Sequence, residues 1–128
     1  MRLLLDTCTF LWAVSDQPKL SRACRDVLVD PANEVFLSAV SAWEICVKSA
    51  TGGLTLAEPA GQFVPKYRAA HGFQPLPLDE AAVLQLPRLP AHHRDPFDRM
   101  LICQAIAHGM TLLTPDPLIT RYPIATAW

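Results

Sequence analysis

The sequence predicts an α/β domain with a parallel sheet held between helical layers. Three observations carry this. The runs "RLLL", "EVFLSA" and "MTLLT" are short, continuous and apolar, as strands are when both of their faces are covered. A segment with helical character follows each of them, so strands and helices alternate along the chain. The 128 residues, 51% of them hydrophobic, suit one domain spanning 1–128 that buries roughly two-thirds of its unfolded surface.

Each element has a local reason. Arg2–Leu5 is a buried strand, and "TCTFLWAVS" directly after it is a helix. Ser21 is a good N-cap for "RACRDVLVD", whose Ala23, Val27 and Leu28 share one face. "EVFLSA" is the second strand, and "SAWEICVKSATGG" a helix stopped by Gly52–Gly53. Residues 57–70 read as helical, with Pro59 near the start. "FQPLPL" is extended, and its prolines suit only an edge strand. "DEAAVLQL" is a short helix capped by Asp79, and "PRLPAHHR" a loop. "PFDRMLICQAIAHG" is a helix ending at Gly109, "MTLLT" a strand, "DPLITRY" a short helical turn and "IATAW" a last strand.

The bulk properties exclude several classes. A formal net charge of −1 argues against holding nucleic acid by bulk electrostatics. No run of about 18 apolar residues exists to cross a membrane, and the start lacks a signal-peptide pattern, so a cytoplasmic location is expected. Cys8, Cys24, Cys46 and Cys103 are widely spaced and lie in apolar or helical patterns, which predicts buried free thiols.

Four acids stand where strands end and helices begin. Asp6 follows the first strand, Glu44 falls early in the helix after the second, Asp98 lies in the first turn of "PFDRMLICQA", and Asp116 follows "MTLLT". In a parallel sheet these junctions gather on one edge, outside the strand carboxyl ends where ligands bind. Each acid also has a local explanation. Asp6 and Asp116 suit helix N-caps, Ser41-x-x-Glu44 has the form of a capping box, and Asp95 with Pro96 starts the helix that carries Asp98. Caps alone leave the shared chemistry unexplained, since serine, threonine or asparagine would serve. Two like charges about 4 Å apart repel by roughly 4 kcal/mol at an effective dielectric near 20. A cluster of carboxylates therefore protonates or splays unless a cation holds it. Oxygen donors of this kind suit a hard divalent ion, Mg²⁺ or Mn²⁺, which can activate water for attack on a phosphodiester.

The neighbouring polar groups have two readings each. Thr7 and Thr114 flank Asp6 and Asp116, and either bond backbone or reach a carboxylate or bound water. Arg94 and Arg99 bracket Asp98 as phosphate contacts or surface ion-pair partners. Lys48 pairs with Glu44 at i+4 or reaches a substrate backbone. Trp12 and Trp43 fit core or interface positions. His92 and His93 are loop neighbours that point apart and make a poor zinc pair, while His71 and His108 read as surface groups.

Three segments, "LLLDTCTFLWAV", "SAVSAWEICVKSATGGL" and "HHRDPFDRMLICQAIAHGMTLLTPDPLITRY", resemble the PIN-domain ribonucleases, specifically the VapC-type toxins of bacterial toxin–antitoxin pairs. The resemblance covers nearly the whole chain. It implies a three-layer α/β/α sandwich with a central, mostly parallel sheet, and an Mg²⁺- or Mn²⁺-dependent endoribonuclease. It places the acidic constellation on Asp6, Glu44, Asp98 and Asp116. Asp6 and Asp98 would be the principal metal ligands, Glu44 a further ligand or water-orienting group, and Asp116 a group acting through water or on a second ion. It also implies a homodimer and a cognate antitoxin protein. Cys8 is a mild departure, because serine or asparagine is common there. A haloacid-dehalogenase-like phosphatase would need aspartate where Cys8 stands. A dinucleotide-binding module would need glycines that residues 1–51 lack. The non-enzymatic alternative, a PIN fold used only for binding, is opposed by the presence of all four acids.

Overall fold

The computed structural model describes all 128 residues. Five strands form one sheet: β1 (Arg2–Leu5), β2 (Glu34–Ser38), β3 (Gln74–Leu76), β4 (Thr111–Leu113) and β5 (Thr126–Ala127), in the order β3-β2-β1-β4-β5. Every neighbouring pair is parallel, so the sheet is wholly rather than mostly parallel. Strand alternation then sorts the side chains. Leu4, Phe36 and Leu112 pack to one face with Leu101, Ile102 and Ala105, while Leu3, Leu5, Val35, Leu37 and Leu113 pack to the other with Phe10, Phe63 and Val64.

The helices cover these two faces. Helix α6 (Pro96–His108) builds the first core; α1 (Thr7–Val14), α2 (Arg22–Val29) and α4 (Ala60–Ala70) build the second. Helix α3 (Ala39–Ala50) serves both, through Val40 in one core and Ile45 in the other. The short α5 (Glu80–Val83) leans on α6. This is the parallel sheet between helical layers that the alternation predicted, and the three-layer α/β/α sandwich that the resemblance implied.

Local signals hold with one main exception. Ser21 caps α2 through the Cys24 amide at 3.0 Å, and Gly109 ends α6 in the left-handed conformation at φ 63°. Proline stands in β3, an edge strand, as its missing N–H requires. The exception is α3, which starts at Ala39, with Ser38 as its N-cap accepting the Val40 amide at 2.9 Å. Ser41 and Glu44 therefore form no capping box, and Glu44 sits in the second turn. The chain entering from β2 is already helical by Ala39, so Ser41 is free to accept the Thr7 hydroxyl at 3.0 Å. A buried hydrogen bond from the Ser38 hydroxyl to Gln104 Oε1 ties this helix start to α6. No helix is long and apolar enough to cross a membrane.

Candidate active site

The strand order reverses at β1, with β2 and β3 on one side and β4 and β5 on the other. A crevice forms beyond the carboxyl ends at such a switch. Here it is a cleft of about 440 Å³ lined by Asp6, Thr7, Cys8, Trp12, Glu44, Lys48, Asp95, Asp98, Pro115, Asp116 and Pro117. All four expected acids, with Thr7 and Lys48, thus reach one place from four distant parts of the chain. A larger hollow of about 590 Å³, between the end of α3 and the start of α4, has Glu58 as its only acid.

Asp6 is 5% exposed and caps α1, accepting the Thr9 amide at 2.7 Å. Burial raises its pKa above the usual carboxylate value, Thr114 and Thr9 oppose that rise by favouring the charged form, and the Asp116 charge adds to it. Capping and site placement therefore coincide at this residue. Thr114 is buried and its Oγ1 accepts the Asp116 amide at 3.1 Å. Asp116 in turn starts a single helical turn, with Oδ1 on the Leu118 amide at 2.9 Å and its carbonyl on the Thr120 amide at 3.1 Å.

Asp95 caps α6 through the amides of Phe97 at 2.9 Å and Asp98 at 3.0 Å. It also lines the cleft, so its charge acts on Asp98. Burial first, then Asp95, and then Glu44 and Asp6 push the Asp98 carboxyl up to about 6, against a lowering by His93. Glu44 is 4% exposed. Its Oε2 is bonded by Lys48 Nζ, while Oε1 is buried with no hydrogen-bond partner. That bond to Glu44 is the main reason the Lys48 pKa is raised.

Several residues lie differently from the sequence expectation. Arg99 does not line the cleft; its Nη1 donates to the Pro90 carbonyl at 2.8 Å and Tyr122 Oη at 3.0 Å, because the loop before α6 folds back over it. Arg94 is exposed outside the cleft. All four thiols are free, as expected, but only Cys24 and Cys103 are buried; Cys8 and Cys46 are exposed. Partial desolvation, followed by the charges of Asp6 and Glu44, pushes the Cys8 thiol up to about 11, so it stays protonated at neutral pH. His108, read as a surface group, is half-buried, with Nε2 2.9 Å from Asp79 Oδ2. Trp12 is half-buried against Trp128, and Trp43 is 53% exposed with its ring on Phe97.

Behind the cleft stands a residue that the sequence offered only as half of a poor zinc pair. His93 lies 3.3 Å from Asp98 Oδ2 through Nε2 and 2.8 Å from Tyr122 Oη through Nδ1. It sits in a loop, where periodicity carries no information. The nearest signal was its place two residues before the Asp95–Pro96 helix start.

As they lie, no three of these acids form a ready-made set around one ion. The donor set still fits a hard divalent ion: every group is a carboxylate oxygen, and Glu44 Oε1 is a buried acceptor with nothing to accept.

Comparison with known proteins identifies the family. The PIN domain family model matches residues 3–124. Ribonuclease VapC16 of Mycobacterium tuberculosis is 39% identical over 102 residues, covering 79% of this chain and 67% of that protein. Two solved structures share the fold at low identity. One is VapBC2 from Rickettsia felis bound to a DNA fragment from its promoter, with a TM-score of 0.74, 15% identity, and 99% and 98% of the two chains covered. The other is DNA-bound VapBC from Salmonella typhimurium, with a TM-score of 0.73, 16% identity, and 99% and 97% covered. A family match over almost the entire length, a ribonuclease relative and an acid-lined cleft at the sheet's switch point together establish that the chain belongs to the PIN-domain family, among its VapC-type members.

Proposed function

We propose that the cleft is the active site of an endoribonuclease, the toxin of a toxin–antitoxin pair, that hydrolyses RNA phosphodiesters with a divalent cation. The observation that carries this is the buried, partnerless Oε1 of Glu44 in a cleft shared with Asp6, Asp98 and Asp116. Asp6 and Asp98 would be the principal ligands of Mg²⁺ or Mn²⁺, with Glu44 and Asp116 as further ligands. When bound, such an ion activates water and offsets charge on the phosphodiester.

The chain's own residues prepare that chemistry. The Asp6 and Asp95 caps fix the starts of α1 and α6, which sets the directions of the Asp6 and Asp98 carboxylates. Lys48, half-exposed at the cleft, places a positive charge where an RNA backbone would approach. Arg94, exposed on the loop before α6, extends that attraction. Thr114 supports both Asp6 and Asp116 from below.

The solved relatives are complexes named VapBC, and we extend that pairing to this chain: an antitoxin protein covers the acidic cleft. A cytoplasmic location fits an RNA substrate. Trp43 at 53% and Val47 at 40% exposure form an apolar row on α3 that suits a homodimer.

The test is direct. Purified protein is incubated with a structured RNA and Mg²⁺, with or without EDTA, beside Asp98→Asn. Cleavage should require both the ion and the carboxylate. Cleavage that survives EDTA or the substitution rules the mechanism out, and metal binding without any cleavage favours a non-catalytic binding module.

A further inference from the structure

Behind Asp98 lies a line of polar groups from three parts of the chain. Tyr122 is 3% exposed, and its hydroxyl is the hub. The His93 backbone N–H donates to Oη at 3.2 Å, and Arg99 Nη1 donates to it at 3.0 Å. A phenol oxygen has two lone pairs and one hydrogen. Both lone pairs are taken, so the hydrogen goes to the remaining neighbour, His93 Nδ1, at 2.8 Å. Nδ1 is then an acceptor, and the neutral imidazole carries its proton on Nε2. That N–H faces Asp98 Oδ2 at 3.3 Å.

The count assigns a direction to the whole line: Arg99 to Tyr122, Tyr122 to His93, His93 to Asp98. We propose that His93 is a positioning residue for Asp98, holding Oδ2 through its Nε2–H so that Oδ1 is presented to the cation. The role rests on the reading of the cleft as a metal site. Burial makes the hold effective, since the His93 side chain is 9% exposed and that of Asp98 19%, which leaves little water to replace the bond. It also explains Arg99. Its guanidinium serves the site from behind, by occupying the Tyr122 lone pair that would otherwise compete for a proton.

Two measurements test this. The first needs no variant: long-range nitrogen–proton NMR of the wild-type imidazoles above pH 8. A bare Nδ1 and a protonated Nε2 are expected for His93; a proton on Nδ1 overturns the assignment. The second is Mn²⁺ binding, followed by the loss of the free-ion electron paramagnetic resonance signal, in wild type, His93→Gln and His93→Leu. His93→Leu should bind Mn²⁺ about 10- to 100-fold more weakly, the range seen when outer partners of metal ligands are removed. His93→Gln, which keeps a donor near the Nε2 position, should restore most of the affinity. A role confined to packing the loop would move the melting temperature and leave both Mn²⁺ affinities at the wild-type value, which overturns the proposal. The failures separate cleanly. Wild type that binds no Mn²⁺ removes the metal-site reading and this one with it. Wild type that binds Mn²⁺ beside a His93→Leu variant that binds equally well removes only this one.

Discussion

Replacing Asp98 by asparagine should strengthen the metal-free fold while abolishing RNA cleavage. The magnitude follows from the site. Burial and the charges of Asp95, Glu44 and Asp6 hold the Asp98 carboxyl at about 6 in the fold against 3.8 when unperturbed. A rise of about two, at about 1.4 kcal/mol for each pH unit, means that ionising Asp98 costs the folded state about 3 kcal/mol. Asparagine removes that cost. It also forfeits the favourable charge at a helix N-terminus, about 1 kcal/mol at most, which leaves a net gain of about 2 kcal/mol. For a chain of this length that is about 7 °C in melting temperature. The sign depends on pH. A carboxyl with a raised folded pKa contributes stability below the unfolded value and loses it as pH rises through the folded one. The advantage of the variant is thus complete above pH 7, roughly halved at pH 5 and absent well below pH 4. Urea unfolding of both proteins in EDTA, at pH 8 and pH 5, reads this out. A variant less stable at pH 8, or a gain that is the same at both pH values, refutes the like-charge reasoning and leaves Asp98 as a helix-end charge.

Three further outcomes can be checked. Mn²⁺ affinity should fall as pH drops through about 6, because Asp98 must lose its proton to bind, by about tenfold per pH unit once the carboxyl is protonated; calorimetry showing constant affinity from pH 7.5 to 5 contradicts this. Lys48→Met removes the partner of Glu44 Oε2 and should cost the metal-free protein about 1 kcal/mol. Added Mn²⁺ should then raise its melting temperature more than that of wild type, and equal shifts would show that Glu44 takes no part in binding. Gly109→Ala, at φ 63° with open space around the position, should cost about 1–2 kcal/mol from backbone strain alone and leave the cleavage rate below the melting temperature unchanged.

Much of the fold was legible because it rests on local patterns. A short apolar run such as Leu3–Leu5 has one stable home, between two layers, and alternation decides which side chains go to which face. The acids were legible for a related reason. A carboxylate just after a strand or at a helix start belongs to the sheet's carboxyl edge, wherever in the chain it falls. The start of α3 was not legible, since Ser38 and Ser41 are equally good caps, and only the direction in which β2 leaves the sheet chooses between them. The exposure of Cys8 was missed because the edge that gathers the acids also opens the cleft beside it.

By itself, then, the sequence determined the element order, the parallel sheet and the four acids that gather at its edge, because each depends on residue type and short spacing. The tertiary structure alone decided which side chains stand beside those acids. Arg99 and His93 lie six residues apart, and both meet Tyr122, more than twenty residues further on, only because the loop before α6 folds back against the segment after β4. Hydrogen-bond partners at that separation are selected by packing, and no local spacing encodes them.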